Sequence, residues 1–295
     1  MSNSSASRPD ICIAGLVYFE IHVPVDELPE SGGVERFVDE LPVSAGGALN
    51  TASVAHALDQ NVLLAFPSGT GLTDAAVHRA VERIGLSTTT WRADEDPAIS
   101  VIINRGDDRS FLSRADYDAL ADCPGLPDAK WIHIPGLREA ELLHDQLAEA
   151  RARDAKVSVT GSWNPDQLAK LDDETIDRPW DLLVLNAKEF REATGSHTIE
   201  PKRLTHAAPD VIVTKGPEGI LADIDGHHIR TDVEPSPVTD TTGAGDAFCA
   251  GYLTACLDDA PPADALRFAS RIAARTLSQR GGLVEEPTIF DDVEL

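Results

Sequence analysis

Short apolar runs alternate along this chain with longer stretches in which apolar positions recur every three or four residues. The runs Ile11 to Ala14, Val62 to Phe66, Trp131 to Ile134, Val157 to Thr160, Leu182 to Leu185 and Val211 to Thr214 have strand length and suit buried strands. Leu49 to Leu58, Ala75 to Ile84, Glu139 to Arg153, Gly245 to Leu257 and Ala263 to Ser278 have the helical period instead. Strands and helices taken in turn predict an α/β fold, with a mostly parallel central sheet flanked by helices.

Two stretches break the alternation. The segments at about 17–43 and 98–113 read as extended chain joined by turns, the second turning through Gly106-Asp107-Asp108. They could form a small second β-sheet acting as a lid that excludes water, or a peripheral hairpin on the main sheet. Residues 1–10 read as a disordered polar tail and 11–295 as one domain, with neither an internal repeat nor a low-complexity linker.

Composition narrows the setting. No run approaches the length of a membrane helix, and the polar start lacks the apolar stretch of a signal peptide, so the expectation is a cytoplasmic protein. Cys12, Cys123, Cys249 and Cys256 have no metal-type spacing and read as core packing. Trp131, Trp163 and Trp180 read the same way, and the adjacent His227 and His228 would point to opposite faces of a strand and chelate poorly. Fifty acidic against 25 basic residues give a net charge of −25, which argues against nucleic acid or an anionic membrane as partner. Lysine is scarce, and the acidic residues are spread along the chain. That pattern predicts a protein adapted to a cytoplasm of molar salt.

The candidate chemistry gathers at Thr239 to Phe248, where a glycine-rich turn enters a helical pattern. Gly243 and Gly245 would let an anion approach main-chain N–H groups at a helix start, where the dipole favours negative charge. Asp246, in the first turn beside that positive end, would stay ionised and could accept a proton from a substrate hydroxyl. A plain helix start, with Thr242 as cap, is the alternative. The turn lacks the Lys-Ser or Lys-Thr of a P-loop and the third glycine of a dinucleotide loop.

Several motifs agree in order and spacing with the ribokinase-like, or PfkB, family of carbohydrate kinases. Asp240 to Phe248 resembles its carboxyl-terminal signature, with Gly251 following, and Ala45-Gly46-Gly47-Ala48-Leu49-Asn50-Thr51-Ala52 resembles its amino-terminal glycine motif. Asn186-Ala187-Lys188-Glu189 matches its Asn-x-x-Glu, and Thr214-Lys215-Gly216 its strand-end Thr-x-Gly. The resemblance implies a ribokinase-like fold with a β lid and the use of ATP and Mg2+. It also implies Asp246 as catalytic base, and Gly243, Ala244 and Gly245 as an anion hole. By the same likeness Asn186, Thr214 and Gly216 flank the nucleotide, Glu189 organises magnesium through water, and Asp240 and Thr242 surround a monovalent cation such as K+. Asn186 and Glu189 could instead form a capping box, and Asp240 could simply bond its own turn.

On the acceptor side the resemblance points to Gly46, Gly47 and Asn50, and to Glu20 where many relatives carry aspartate. Arg105, Arg109 and Arg114 flank the second extended segment, and Arg114 is a candidate for an anionic acceptor. The expected activity is ATP-dependent phosphorylation of a pentose-type sugar or sugar phosphate, ribose 1-phosphate among them. A nucleoside kinase, with Tyr18 and Phe19 forming a slot for the base, a ketodeoxygluconate kinase and a non-catalytic nucleotide-binding regulator are the alternatives. A homodimer joined through the lids is expected by analogy.

Overall fold

The computed structural model describes residues 8–25, 27, 32, 33, 35, 37–105 and 108–295, with the backbone alone at Arg105, Asp108 and Arg109. Most of the expected tail and the turn at Gly106-Asp107 therefore lie outside the described residues. Residues 8–10 do not belong to a loose tail, because Asp10 N–H donates to Asn61 O and Lys130 N–H to Pro9 O, at 2.9 and 3.1 Å.

The strands are β1 (Ile11–Ala14), β2 (Val17–Pro24), β3 (Val43–Gly47), β4 (Val62–Ser68), β5 (Ser87–Arg92), β6 (Ala98–Arg105) and β7 (Asp108–Ala115). After them come β8 (Trp131–Ile134), β9 (Lys156–Thr160), β10 (Leu182–Asn186), β11 (Asp210–Thr214), β12 (Ile220–Ile224) and β13 (His227–Thr231). The central sheet runs β13-β12-β11-β10-β9-β8-β1-β4-β5 and is parallel except for β12 and β13. The second sheet, β3-β2-β6-β7, is mixed, since β2 pairs with β6 in parallel and the other neighbours are antiparallel.

Nine helices are described: α1 (Ala48–Ala57), α2 (Leu72–Ile84), α3 (Tyr117–Ala121), α4 (Leu137–Leu142), α5 (His144–Arg151), α6 (Pro165–Leu168), α7 (Ala187–Thr194), α8 (Ala244–Leu257) and α9 (Pro262–Thr276). The period-two rule divides the core between the sheet's faces. Ile11 and Ile13 join the cluster under α1, α8 and α9, with Leu49, Phe248 and Leu266. Cys12 and Ala14 join the opposite cluster, with Ile132, Leu147 and Phe190. Gly251 lets α8 and α9 approach closely, for a Cβ there would lie 3.1 Å from the Ala269 Cα.

Two expectations need adjusting, and one strand lacks a sequence signal. The helix expected over Glu139 to Arg153 is broken at Leu143 into α4 and α5. Trp131 and Trp180 are buried, but Trp163 is 47% exposed and lies under the Lys188 ammonium, 3.8 Å from the ring centre. The edge strand β5 carries Ser87, Thr88, Thr89 and Thr90 and lacks the apolar run that marks the inner strands.

Candidate active site

Parallel strands leave a crevice at their carboxyl ends, and the loops there carry the polar residues of this fold. Thr160 ends β9, Asn186 ends β10 and Thr214 ends β11, with Asn186 and Thr214 opposite each other in register. The second sheet faces this end of the strands. Between them lies a cleft of about 400 Å³, lined by Glu20, Gly47, Glu139, Asn186, Glu189, Thr214, Gly245 and Asp246, among others.

Asp246 is half-buried in the first turn of α8. Asn50 Nδ2 donates to its Oδ2 at 3.3 Å, and the Thr51 hydroxyl donates to Oδ1 at 3.2 Å. Burial pushes its carboxyl up from 3.8 to about 6, and these two hydrogen bonds pull the other way. Burial thus outweighs the helix-start stabilisation expected from the sequence, leaving a carboxylate whose proton affinity suits a general base near neutral pH.

The turn ahead of it is held open by two glycines facing each other. Gly243 caps α8 at φ +75°, and a Cβ on it would lie 2.4 Å from the Gly282 Cα. A Cβ on Gly245 meets nothing within 4 Å, so this glycine leaves its side of the cleft open to a ligand. The Ala244 amide does not point wholly at the cleft, for its N–H reaches back to Thr241 O at 3.4 Å.

Asn186 and Glu189 form the capping box of α7. The Asn186 side chain accepts from the Lys188 and Glu189 amides at 2.9 Å, and Glu189 Oε2 accepts from the Asn186 amide at 2.8 Å. Capping and cleft roles coincide here, because Glu189 also lines the cleft and packs over Gly161, where a Cβ would lie 2.4 Å from Oε2. Burial raises its pKa, and its bonds to Asn186 lower it. Magnesium that arrives mostly on phosphate and water ligands needs only one or two protein carboxylates, and Glu189, in the first turn of α7 just past Asn186, fits that ion.

Asp240 belongs to a neighbouring cavity of about 820 Å³, with Thr239 and Thr241. Its Oδ1 accepts from the Thr242 amide and hydroxyl at 2.9 and 2.7 Å, and its Oδ2 from the Gly281 amide at 3.0 Å. These bonds tie the signature turn to the loop carrying Gly282. Gly216, at φ +56°, lies just past β11 and is not among the cleft-lining residues.

On the acceptor side, the Glu20 carboxylate lies over Gly46, where a Cβ would approach Oε1 to 2.2 Å. Burial raises its pKa, the Ser44 hydroxyl lowers it and the nearby Asp246 charge raises it again. Arg114 is corrected as a site residue. Alternation along β7 turns Ser113 and Phe111 to the cleft and Arg114 away from it, to an exposed pair with Glu95 at 2.9 Å. The side chains of Arg105 and Arg109 lie outside the described residues. Tyr18 lines the cleft, whereas Phe19 packs against the core under α1 and α8.

Sequence reading missed Glu139, Tyr117, Ser44 and Gly282, and it placed Thr51 within the amino-terminal glycine motif without giving it a role. Glu139 is 9% exposed, and its carboxyl lies over Gly136 at the start of α4, where burial raises its pKa. The Tyr18 and Tyr117 hydroxyls pair with each other, and the Tyr117 ring carries the Arg138 guanidinium 4.2 Å from its centre. Signals existed for Thr51, next to Asn50 in the glycine motif, and for Gly282, as part of a glycine pair soon after a helical stretch.

Comparison with known proteins bears on this geometry. The model of the pfkB family carbohydrate kinases matches residues 9–289. The chain is 29% identical to a 1-phosphofructokinase of Haloferax volcanii over 279 residues, covering 88% of both chains. It is 26% identical to an ATP-dependent ribose-1-phosphate kinase of Halopiger xanaduensis, covering 91% of this chain and 92% of the relative. Among solved structures, Arabidopsis thaliana ribokinase complexed with ribose and ATP superposes with a TM-score of 0.77 at 19% identity, covering 98% and 99% of the two chains. A nucleoside kinase from Methanocaldococcus jannaschii superposes at 0.78 with 17% identity, covering 97% and 98%. A ribokinase-like fold, a carboxylate set at a glycine-rich helix start and a family match over nearly the whole length lead to one conclusion: this chain belongs to the pfkB family of carbohydrate kinases and is an ATP-dependent kinase of a sugar or nucleoside.

Proposed function

We propose that the protein transfers the terminal phosphoryl group of ATP to the hydroxymethyl of an uncharged polyhydroxylated acceptor of pentose type. The observation that carries this reading is Asp246, set between the Asn50 and Thr51 donors at the cleft with its pKa near 6. In this reading Asp246 takes the acceptor's proton as the hydroxyl oxygen attacks phosphorus. The amides around Gly243 to Gly245 stabilise charge on the transferring group, and Glu20 and Glu139 accept hydrogen bonds from the remaining hydroxyls. When bound, magnesium would neutralise charge on the phosphates, and Glu189 is the residue that would hold it through water. Asn186 and Thr214, at neighbouring strand ends, flank the phosphates.

An uncharged acceptor is favoured over a sugar phosphate by the charge of the cleft. Its lining contributes four carboxylates, those of Glu20, Glu139, Glu189 and Asp246, and no lysine or arginine among the described residues. Arg114, the cation proposed from sequence, is paired at the surface. A nucleoside is the second reading, supported by the Tyr18, Tyr117 and Phe111 rings along one wall. An ADP-release screen in molar KCl over ribose, ribose 1-phosphate, fructose, ketodeoxygluconate and nucleosides tests both. Acceptor-stimulated turnover is expected with an uncharged compound, and a preference for the phosphate ester would reverse the choice.

A further inference from the structure

Glu20 is held from behind. On β2 it stands in register with Ser44 of β3, and His22, two positions on, projects from the same face. The Ser44 hydroxyl donates to Glu20 Oε2 at 2.9 Å. His22 Nε2 lies 2.9 Å from the same Ser44 oxygen and 3.8 Å from Glu20 Oε2. A serine has one proton to give, and here it goes to the carboxylate, so His22 Nε2 must be the donor to Ser44. The result is a chain from His22 Nε2–H to Ser44 Oγ–H to Glu20 Oε2. It crosses the wall between two cavities: Glu20 lines the active-site cleft, while His22 and Ser44 line the neighbouring one. The carboxylate as a whole lies over Gly46, where no side chain intervenes, and of its two oxygens Oε1 comes nearer, at 2.2 Å from the position of a Cβ against 2.8 Å for Oε2.

We infer that Ser44 and His22 are positioning residues, which pin Glu20 Oε2 so that Oε1 is presented to the acceptor's hydroxyls at a fixed height above Gly46. A glutamate has one more rotatable bond than an aspartate, and that freedom must be removed before the carboxylate can select between hydroxyl patterns. The two oxygens divide the work, one anchored and one offered. This inference rests on the kinase reading for its substrate, but the chain of hydrogen bonds is testable without one.

The experiment compares Ser44→Ala, Ser44→Thr and His22→Phe with the parent. In 13C spectra of glutamate-carboxyl-labelled protein, with Glu20 assigned through Glu20→Gln, the Glu20 midpoint should rise in Ser44→Ala and return in Ser44→Thr. Tyr18 and His22 on β2, Ser44 on β3, Ser100 in register on β6 and Asp246 on α8 surround the carboxyl, and none but Ser44 changes between those variants. With an acceptor from the screen, Ser44→Ala and His22→Phe should raise the acceptor KM about tenfold, the scale of one hydrogen bond to a charged group. The KM for ATP should hold within about twofold, because uniform binding of the acceptor alone is lost. An unmoved Glu20 midpoint overturns the inference whether or not any acceptor is found. So does a moved midpoint with unchanged acceptor KM. Failure of the kinase reading shows separately, as parent protein that releases no ADP with any acceptor.

Discussion

Asn50 and Asp246 stand 196 positions apart in the chain and are joined by a hydrogen bond of 3.3 Å. One opens α1 beside the glycine motif and the other opens α8, so the two glycine-rich segments meet at one carboxylate. Removing its charge has opposite consequences for function and for fold. Asp246→Asn should lower turnover by about 10²–10⁴-fold, the usual worth of general-base help, with ATP affinity nearly unchanged. A raised native pKa means the folded state holds the proton more tightly than the unfolded one. Its stabilising contribution is therefore present below pH 3.8 and lost as pH rises through about 6. At neutral pH the ionised group works against the fold. Asp246→Asn should melt about 2 °C or more above the parent at pH 7, with the gap closing near pH 4. Unchanged turnover would remove Asp246 from the chemistry.

The neighbouring donors set where the activity rises with pH. In the parent, kcat/KM should climb through an acid limb near pH 6 as Asp246 loses its proton. The Thr51 hydroxyl holds that carboxyl down at 3.2 Å. Thr51→Val keeps the shape and removes the donor, so the limb should move to higher pH, by about half a unit or more on the scale of one charged hydrogen bond. A limb that stays in place would show that the Thr51 hydroxyl does not set the value, leaving burial and the Asn50 donor.

Much of this frame was legible because period and punctuation coincide. The buried strands β1, β10 and β11 carry uninterrupted apolar runs, β8 is apolar but for His133, and each run ends at a polar residue or a turn. The signature around Asp246 carries its meaning in local order. What escaped depends on partners distant in sequence. Thr51 is an ordinary helix residue until α8 is laid against α1, and Glu139 reads as a first-turn acid until the second sheet closes over it. Arg114 was misplaced because a strand's facing is fixed by pairing register. Ser113 pairs with Ser100, and Arg114 follows on the outer face. Lid action and pairing through the second sheet remain proposals carried by the sequence reading.

Glu189 has two duties, and one substitution separates them. A glutamine at this position keeps an oxygen to accept the Asn186 amide, now 2.8 Å from Oε2, but carries no charge. Glu189→Gln should therefore leave the melting temperature within about 1 °C and shift the magnesium titration of turnover to higher concentration. Glu189→Ala should lose both, with a stability cost of about 1 kcal/mol for the broken cap. An unchanged magnesium titration in the glutamine variant would leave Glu189 as a cap alone.

Gly282 faces Gly243 across the signature turn. A Cβ on Gly282 would lie 2.9 Å from Gly243 Cα and 2.9 Å from Asn50 Nδ2. Gly243 cannot yield, since it caps α8 at φ +75°, so Asn50 must move away from Asp246. Gly282→Ala should lower turnover about a hundredfold, as misplacement of a reacting group by about 1 Å does, while the protein remains folded by circular dichroism. Full turnover would mean that the loop at 281–283 moves freely of the turn.

The charge balance sets the conditions in which all of this holds. With 50 acidic and 25 basic residues, each cation can be matched by one anion and an excess of 25 negative charges remains. The ion pairs are mostly exposed, such as Lys170 with Glu141 and Arg83 with Glu285, and pairs of this kind contribute about 0–1 kcal/mol each. Salt screens attraction and repulsion alike, but the excess makes repulsion the larger sum. Raising KCl shortens the screening length from about 10 Å at 0.1 M to about 3 Å at 1 M, which confines the repulsion to nearest neighbours. The melting temperature should therefore climb steadily with KCl, and dialysis into dilute buffer should cost far-ultraviolet ellipticity and turnover together. A melting temperature independent of KCl over that range would show that packing alone outweighs the repulsion, and that the acidic surface serves solubility instead.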